Sequence, residues 1–219
     1  MTTIDYAKAR ETMVEQQVRP WEVFDPRVLD TLATLPRDRF VADAHRALAY
    51  SDIELPLGHG EMMLKPVIEG RALQALSVGE SEDVLEIGTG SGFLSACLGR
   101  LAREVVSIER HADLADAARA RLQTQGIANV RVEAADIFGW QSARKFDAIL
   151  VGGAVAAIPA LFSNWLRPGG RMFVVHGQAP AMDAALIHLE SDGRLRVESL
   201  FETVVPYLVG AAPAPTFQL

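Results

Sequence analysis

Val84-Leu85-Glu86-Ile87-Gly88-Thr89-Gly90-Ser91-Gly92 is the stretch whose reading decides the fold. An apolar run closes on an acidic residue and is followed by glycine at every second position. This predicts a strand feeding a tight turn that a nucleotide-bearing ligand can approach, because glycine takes positive φ and leaves the main chain open where a Cβ would stand. The dinucleotide fingerprint G-x-G-x-x-G requires a third glycine at position 93. Phe93 stands there, so a nicotinamide-dependent oxidoreductase is disfavoured.

What remains, E-x-G-x-G-x-G, resembles the loop of S-adenosylmethionine-dependent methyltransferases built on a doubly wound sheet. Packing alone also produces glycine-rich strand-to-helix turns, so the surroundings decide. About twenty residues on, where a second strand should offer a carboxylate to ribose hydroxyls, Val105-Val106-Ser107-Ile108 ends in Glu109.

From Asp83 onward strand and helix patterns alternate. Strands are expected near Val84 to Ile87, Glu104 to Ile108, Val130 to Ala134, Phe146 to Val151 and Arg171 to Val175. Helices are expected near Phe93 to Ala102, Ala112 to Gln125 and Pro159 to Leu166. Strands separated by helices imply parallel pairing with right-handed crossovers. Ala185 to Glu190, a turn at Asp192-Gly193, and Leu195 to Val205 read as a terminal hairpin with an antiparallel strand at the edge. The expected fold is therefore α/β: a doubly wound, mostly parallel, Rossmann-like sheet of seven strands.

Ahead of it, Tyr6 to Val18 and the segment opened by Asp25-Pro26 are helical in pattern. Ala49 to Pro66, with Pro56, Gly58, Gly60 and Pro66, reads as a loop lying across a site, and Val67 to Leu76 as a helix. The expectation is one domain over residues 1–219, with helices and a substrate loop in 1–78 and the cofactor-binding sheet in 79–219.

Three acidic residues fall at the expected carboxyl ends of strands, where such sheets bind ligands. Glu86 would organise the glycine loop or meet the amino acid end of a ligand. Glu109 would accept ribose hydroxyls, and Asp136 the adenine amino group. Each alone could be a solvated carboxylate; all three together point to one site.

The chain has 219 residues, 49% hydrophobic and 22% charged, with 21 basic against 28 acidic residues. That is the composition of a globular protein. A net charge of -7 disfavours a nucleic-acid partner. Ala148 to Leu166 carries no charge and is long enough to span a membrane. However, Gly152, Gly153, Pro159, Ser163 and Asn164 interrupt it, so no membrane association is expected. Met1 to Arg10 lacks the apolar core of a secretory signal, and cytoplasmic residence is the expectation. Cys97 is the single cysteine, which excludes a disulfide framework. The five histidines show no metal-ligand spacing, so no metal is expected.

From about Glu15 to about Leu208 the chain resembles the protein-L-isoaspartate O-methyltransferases. The likeness is carried by Pro36-Arg37-Asp38-Arg39-Phe40-Val41, Ala49-Tyr50-Ser51-Asp52, the glycine stretch, Ser107-Ile108-Glu109-Arg110, Phe146-Asp147-Ala148-Ile149, Leu166-Arg167-Pro168-Gly169-Gly170 and Val205-Pro206-Tyr207-Leu208. The resemblance implies an S-adenosyl-L-methionine site at Glu86, Gly88, Gly90, Gly92, Glu109, Arg110, Asp136 and Ile137, with S-adenosyl-L-homocysteine as product. It implies methyl transfer to an oxygen nucleophile of a peptide, protein or small-molecule carboxylate acceptor.

One loop departs from the family pattern Gly-x-Gly-Gln-Thr-Ile-Ser-x-Pro. Here it reads Gly58-His59-Gly60-Glu61-Met62-Met63-Leu64-Lys65-Pro66. Both glycines and the proline are kept, which predicts the same loop shape. Met62 stands at the threonine position and Leu64 at that of the family's active-site serine, so the loop hydroxyls are gone. An acceptor carboxylate needs donors to hold one oxygen in line, and Glu61 replaces a neutral glutamine with a negative charge. His59 is a candidate base or donor, although its place is the family's variable one, and His176 reads as an interior histidine. Val151-Gly152-Gly153-Ala154 replaces a threonine-containing turn, which predicts a more flexible segment. The expected consequence is an intact cofactor half and an altered acceptor half, or a cofactor-binding protein without turnover.

Overall fold

The computed structural model describes residues 4–214. Its N-terminal part begins with α1 (Tyr6–Met13), capped by the Asp5 carboxylate accepting from Lys8 N. The helix then widens into a π turn over Val14–Val18 and a 3-10 turn over Arg19–Trp21. The backbone is thus helical through Val18, as the pattern suggests, and changes type before Pro20, which has no N–H to continue the α-helical ladder. In α2 (Pro26–Thr34) Asp25 caps and Pro26 takes the first helical position, as expected.

The segment read as a loop contains a two-stranded hairpin, β1 (Leu55–Gly58) and β2 (Glu61–Met63). Period-2 burial was masked by its shortness: Leu55 and Met63 point into the core while the tip stays exposed. Then α3 (Pro66–Leu76) leads to the sheet.

The sheet is built from β3 (Asp83–Ile87), β4 (Glu104–Glu109), β5 (Val130–Ala134), β6 (Phe146–Val155), β7 (Leu166–Gln178), β8 (Ala181–Leu189) and β9 (Leu195–Thr203). They lie in the order β5-β4-β3-β6-β7-β8-β9. The first five strands pair in parallel, while β7–β8 and β8–β9 pair antiparallel. The helices α4 (Phe93–Leu101), α5 (Ala112–Thr124) and α6 (Ala160–Ser163) connect them. The expected helix from Pro159 shrinks to α6, and the expected strand at Arg171 begins earlier, at Leu166. Leu166 pairs with Phe146 across the sheet, and that pairing outweighs local helix preference.

Winding reverses at β3, which is flanked by β4 on one side and β6 on the other. A crevice at the carboxyl ends follows from that reversal. The central strand β3 is buried on both faces and has no exposed residue, as a continuous apolar run requires.

Phe93, the residue that breaks the dinucleotide fingerprint, is fully buried. Its ring meets Phe40 edge-on at 5.5 Å, and the Arg37 guanidinium lies 5.4 Å from its centroid. Arg37 is itself fully buried: Nε and Nη2 donate to the two Glu69 carboxylate oxygens at 3.0 and 3.2 Å. It also donates to the carbonyls of Ala49 and Leu64 at 2.7 and 2.6 Å. One side chain thus ties the N-terminal turn, the segment before the hairpin, the end of β2 and α3 together.

Candidate active site

The cleft lies at the switch point and encloses about 700 Å³ open to solvent. Its floor is the glycine turn, with Gly88 and Gly90 at φ 91° and 52°. Gly90 N donates to Glu109 Oε2 at 2.8 Å, and His111 N donates to Glu109 Oε1 at 2.9 Å. Glu109 is 5% exposed, so β4 supplies the carboxylate that fixes the turn and still faces the cleft. At the end of β5, Asp136 accepts from Phe138 N and from Arg110 Nη1 at 3.0 and 2.8 Å. Ile137 lines the cleft beside it.

Of the residues expected to hold a cofactor, Gly88, Gly90, Glu109, Arg110, Asp136 and Ile137 line this cleft. Glu86 and Gly92 are placed behind it. Glu86, expected either to organise the glycine loop or to meet the amino acid end of a ligand, makes no hydrogen bond to the loop and does not line the cleft. Instead its Oε2 accepts from the hydroxyls of Ser95 and Ser107, while its Oε1 is buried without a partner. Burial pushes the Glu86 carboxyl from 4.5 up to about 7, against the two hydroxyls that lower it. Gly92 starts α4, and a Cβ there would lie 3.1 Å from Ala118 Cβ on α5. Its glycine therefore serves helix packing.

Gly152 and Gly153 lie inside β6, not in a loose turn. A Cβ on Gly152 would sit 2.8 Å from Gly88 O, and one on Gly153 3.2 Å from Pro206 O. Close approach of three backbones, not flexibility, explains the glycines. The third backbone is the segment after β9, whose Leu208 N donates to Ala154 O while Pro206 O accepts from Ala154 N. Pro206 to Val209 form a wall of the cleft. Val205-Pro206-Tyr207-Leu208 stood out in the sequence without a role; a proline and two bulky apolar residues beyond the last strand were the available signal.

The hairpin forms the opposite wall. Glu61, Met62 and Leu64 line the cleft, and Leu57 reaches down to the turn, its Cδ1 2.9 Å from where a Gly90 Cβ would be. A smaller recess of about 290 Å³, open to solvent, between hairpin and turn is lined by Met62, Met63, Leu64, Glu69 and Leu94. Gly58, His59 and Gly60 make the exposed tip, all at positive φ. His59 Nε2 bonds to Asp113 at 2.9 Å, and its ring stacks on His111 at 4.1 Å. The His59 hydrogen bond holds the Asp113 carboxyl below its usual range. Glu61 does not pair with Lys65; its Oε1 lies 3.7 Å from His111 Nε2. The sequence reading missed His111, whose only signal was its place two residues beyond Glu109. His176 is within β7, part-exposed, with Nε2 3.7 Å from Asp183 and without a hydrogen bond.

No helix among the described residues is long and apolar enough to cross a membrane. The model of the protein-L-isoaspartate(D-aspartate) O-methyltransferase family matches residues 8–210. A protein-L-isoaspartate O-methyltransferase of Methylorubrum extorquens is 40% identical over 196 residues, 89% of this chain and 85% of the relative. One from Koribacter versatilis is 37% identical over 206 residues, 94% and 92% of the two chains. The fold is shared with a crystal structure from Plasmodium falciparum, provisionally assigned to the same enzyme class and in complex with S-adenosyl-L-homocysteine. That likeness has a TM-score of 0.80 at 19% identity, over 91% of this chain and 97% of the other.

Proposed function

This chain belongs to the protein-L-isoaspartate(D-aspartate) O-methyltransferase family, and from that premise we propose that it is an S-adenosylmethionine-dependent methyltransferase whose acceptor site differs from the family's. The observation that carries the donor half is the convergence of Gly88, Gly90, Glu109 and Asp136 on one cleft at the switch point.

The residues present fit S-adenosylmethionine. Glu109 keeps acceptor capacity on both oxygens after its two backbone bonds, which suits a ribose diol. Asp136 offers a carboxylate at the end of β5 for an exocyclic amine, and Ile137 an apolar surface for a purine face. Gly88 and Gly152 let their two backbones approach closely at the floor of the cleft, where a Cβ on Gly152 would strike Gly88 O. When bound, S-adenosylmethionine supplies a sulfonium methyl for displacement by a nucleophile. The chain's own residues bind the nucleoside end, exclude water with Leu57, Met62 and Leu208, and orient whatever oxygen enters.

For that oxygen the walls offer little. Met62 and Leu64 carry no donor, where family members carry hydroxyls, and Glu61 sets a negative charge in the same cleft. An anionic isoaspartyl carboxylate would meet repulsion and lack positioning hydrogen bonds. The reading is therefore a methyltransferase with weak isoaspartyl activity, acting on a carboxylate or other oxygen acceptor that packs against the apolar hairpin. Binding without turnover is the second reading, favoured by the same two side chains. Titration with S-adenosylmethionine and NAD, followed by methyl transfer to an acceptor panel, separates them. Binding of NAD alone overturns both, and binding of S-adenosylmethionine with no transfer to any acceptor supports the second.

A further inference from the structure

The hairpin is held at two levels of strength. Its base is fixed in the core: Leu55, Met63 and Leu64 are buried, and the Leu64 carbonyl accepts from the buried Arg37. Between these anchors Pro56, Gly58, His59 and Gly60 are exposed. This tip is fastened by His59, bonded to Asp113 and stacked on His111, and by Glu61 beside His111. All of these contacts meet the single turn that starts α5, directly after Glu109. Leu57, carried between base and tip, presses on the glycine turn at Gly90.

A segment anchored at its base, latched at its tip by surface contacts and lying over a ligand cleft has the parts of a gate. We propose that residues 56–62 open and close over the cleft and that His59, Glu61, His111 and Asp113 are the clasp that holds them shut. The proposal rests on the reading of the cleft as a cofactor site. Closed, the hairpin places Leu57 and Met62 against the turn. Ligand exchange requires the His59–Asp113 bond and the His59–His111 stack to part. Solvent-exposed contacts of this kind are weak, which lets them break on the timescale of lid motion.

The test is stopped-flow measurement of S-adenosylhomocysteine association and dissociation, comparing the unaltered protein with His59→Ala, Asp113→Asn and the double variant. His59 and Asp113 are exposed, so the variants keep the core. A gate predicts that association and dissociation rates rise together, each about three- to fivefold, with Kd changed little. It also predicts that the double variant gains no more than either single one. Faster dissociation with unchanged association marks the residues as plain ligand contacts and overturns the gate. Unchanged rates in both directions also overturn it, and leave the cofactor reading standing. Failure of the unaltered protein to bind S-adenosylhomocysteine at all overturns the cofactor reading and the gate with it.

Discussion

Glu109 Oε2 accepts a hydrogen bond from Gly90 N at 2.8 Å, joining the end of β4 to the middle of the glycine turn. The acidic residue of one motif therefore shapes the other motif and faces the cleft with the same carboxylate. Glu109→Ala is expected to lower S-adenosylhomocysteine affinity by roughly ten- to a hundredfold, the range for lost hydrogen bonds to a charged group. Calorimetric titration measures it. An affinity within twofold of the unaltered protein would place ribose recognition elsewhere.

Gly152→Ala sets a methyl 2.8 Å from Gly88 O. Backbone on both sides leaves no flexible side chain to yield, so the expected loss is about 1–3 kcal/mol, with weaker cofactor binding as the turn is displaced. Urea denaturation and titration read the two effects. If stability and affinity are both retained, the strand has slack and the sequence-based expectation of flexibility was the better one.

The parallel sheet, its carboxyl-end carboxylates and the glycine turn were legible in the sequence because strand length, apolar run and glycine spacing are local signals. The contacts across the chain were not. Phe93 announced what the ligand was not, yet nothing local told that its ring packs under Arg37. Glu86 and Glu109 carry the same chemistry at two strand ends. Only tertiary packing made one the bonded organiser of the turn and the other a buried acid. The β1–β2 hairpin was hidden by two three-to-four residue strands and two glycines, which read as loop.

Arg37 and Glu69 form a buried bidentate pair. Removing one partner by Arg37→Ala leaves a buried carboxylate and is expected to lower stability by about 3–5 kcal/mol. Arg37→Met with Glu69→Met should recover only part, because the Ala49 and Leu64 carbonyls lose their donor as well. Chemical denaturation of the unaltered protein and the two variants decides it, and complete recovery in the double variant would refute the role given to those carbonyls.

Glu86 is a carboxyl whose pKa the fold raises to about 7. A raised value means the folded protein binds the proton more tightly than the unfolded chain. Its contribution is fully present below the unfolded value of 4.5 and is lost as pH rises through about 7. Glu86→Gln, which cannot ionise, should therefore gain stability relative to the unaltered protein by on the order of 2–3 kcal/mol between about pH 5 and about pH 8. Thermal melts across that range check the slope. A difference that shrinks with rising pH would mean that Glu86 is ionised in the fold.

The account turns on Met62 and Leu64, two cleft-lining side chains at the positions where the sequence resemblance implies hydroxyls in the family, and on the proposal that their loss alters the acceptor site. The most direct measurement is kcat/KM for methyl transfer from S-adenosylmethionine to an isoaspartyl peptide, for the unaltered protein and for Met62→Thr with Leu64→Ser. The account predicts weak transfer by the unaltered protein and a gain of about tenfold or more in the double variant, the effect of restored hydrogen bonds to an anionic acceptor. Efficient transfer by the unaltered protein, with no gain on restoring the hydroxyls, would contradict it.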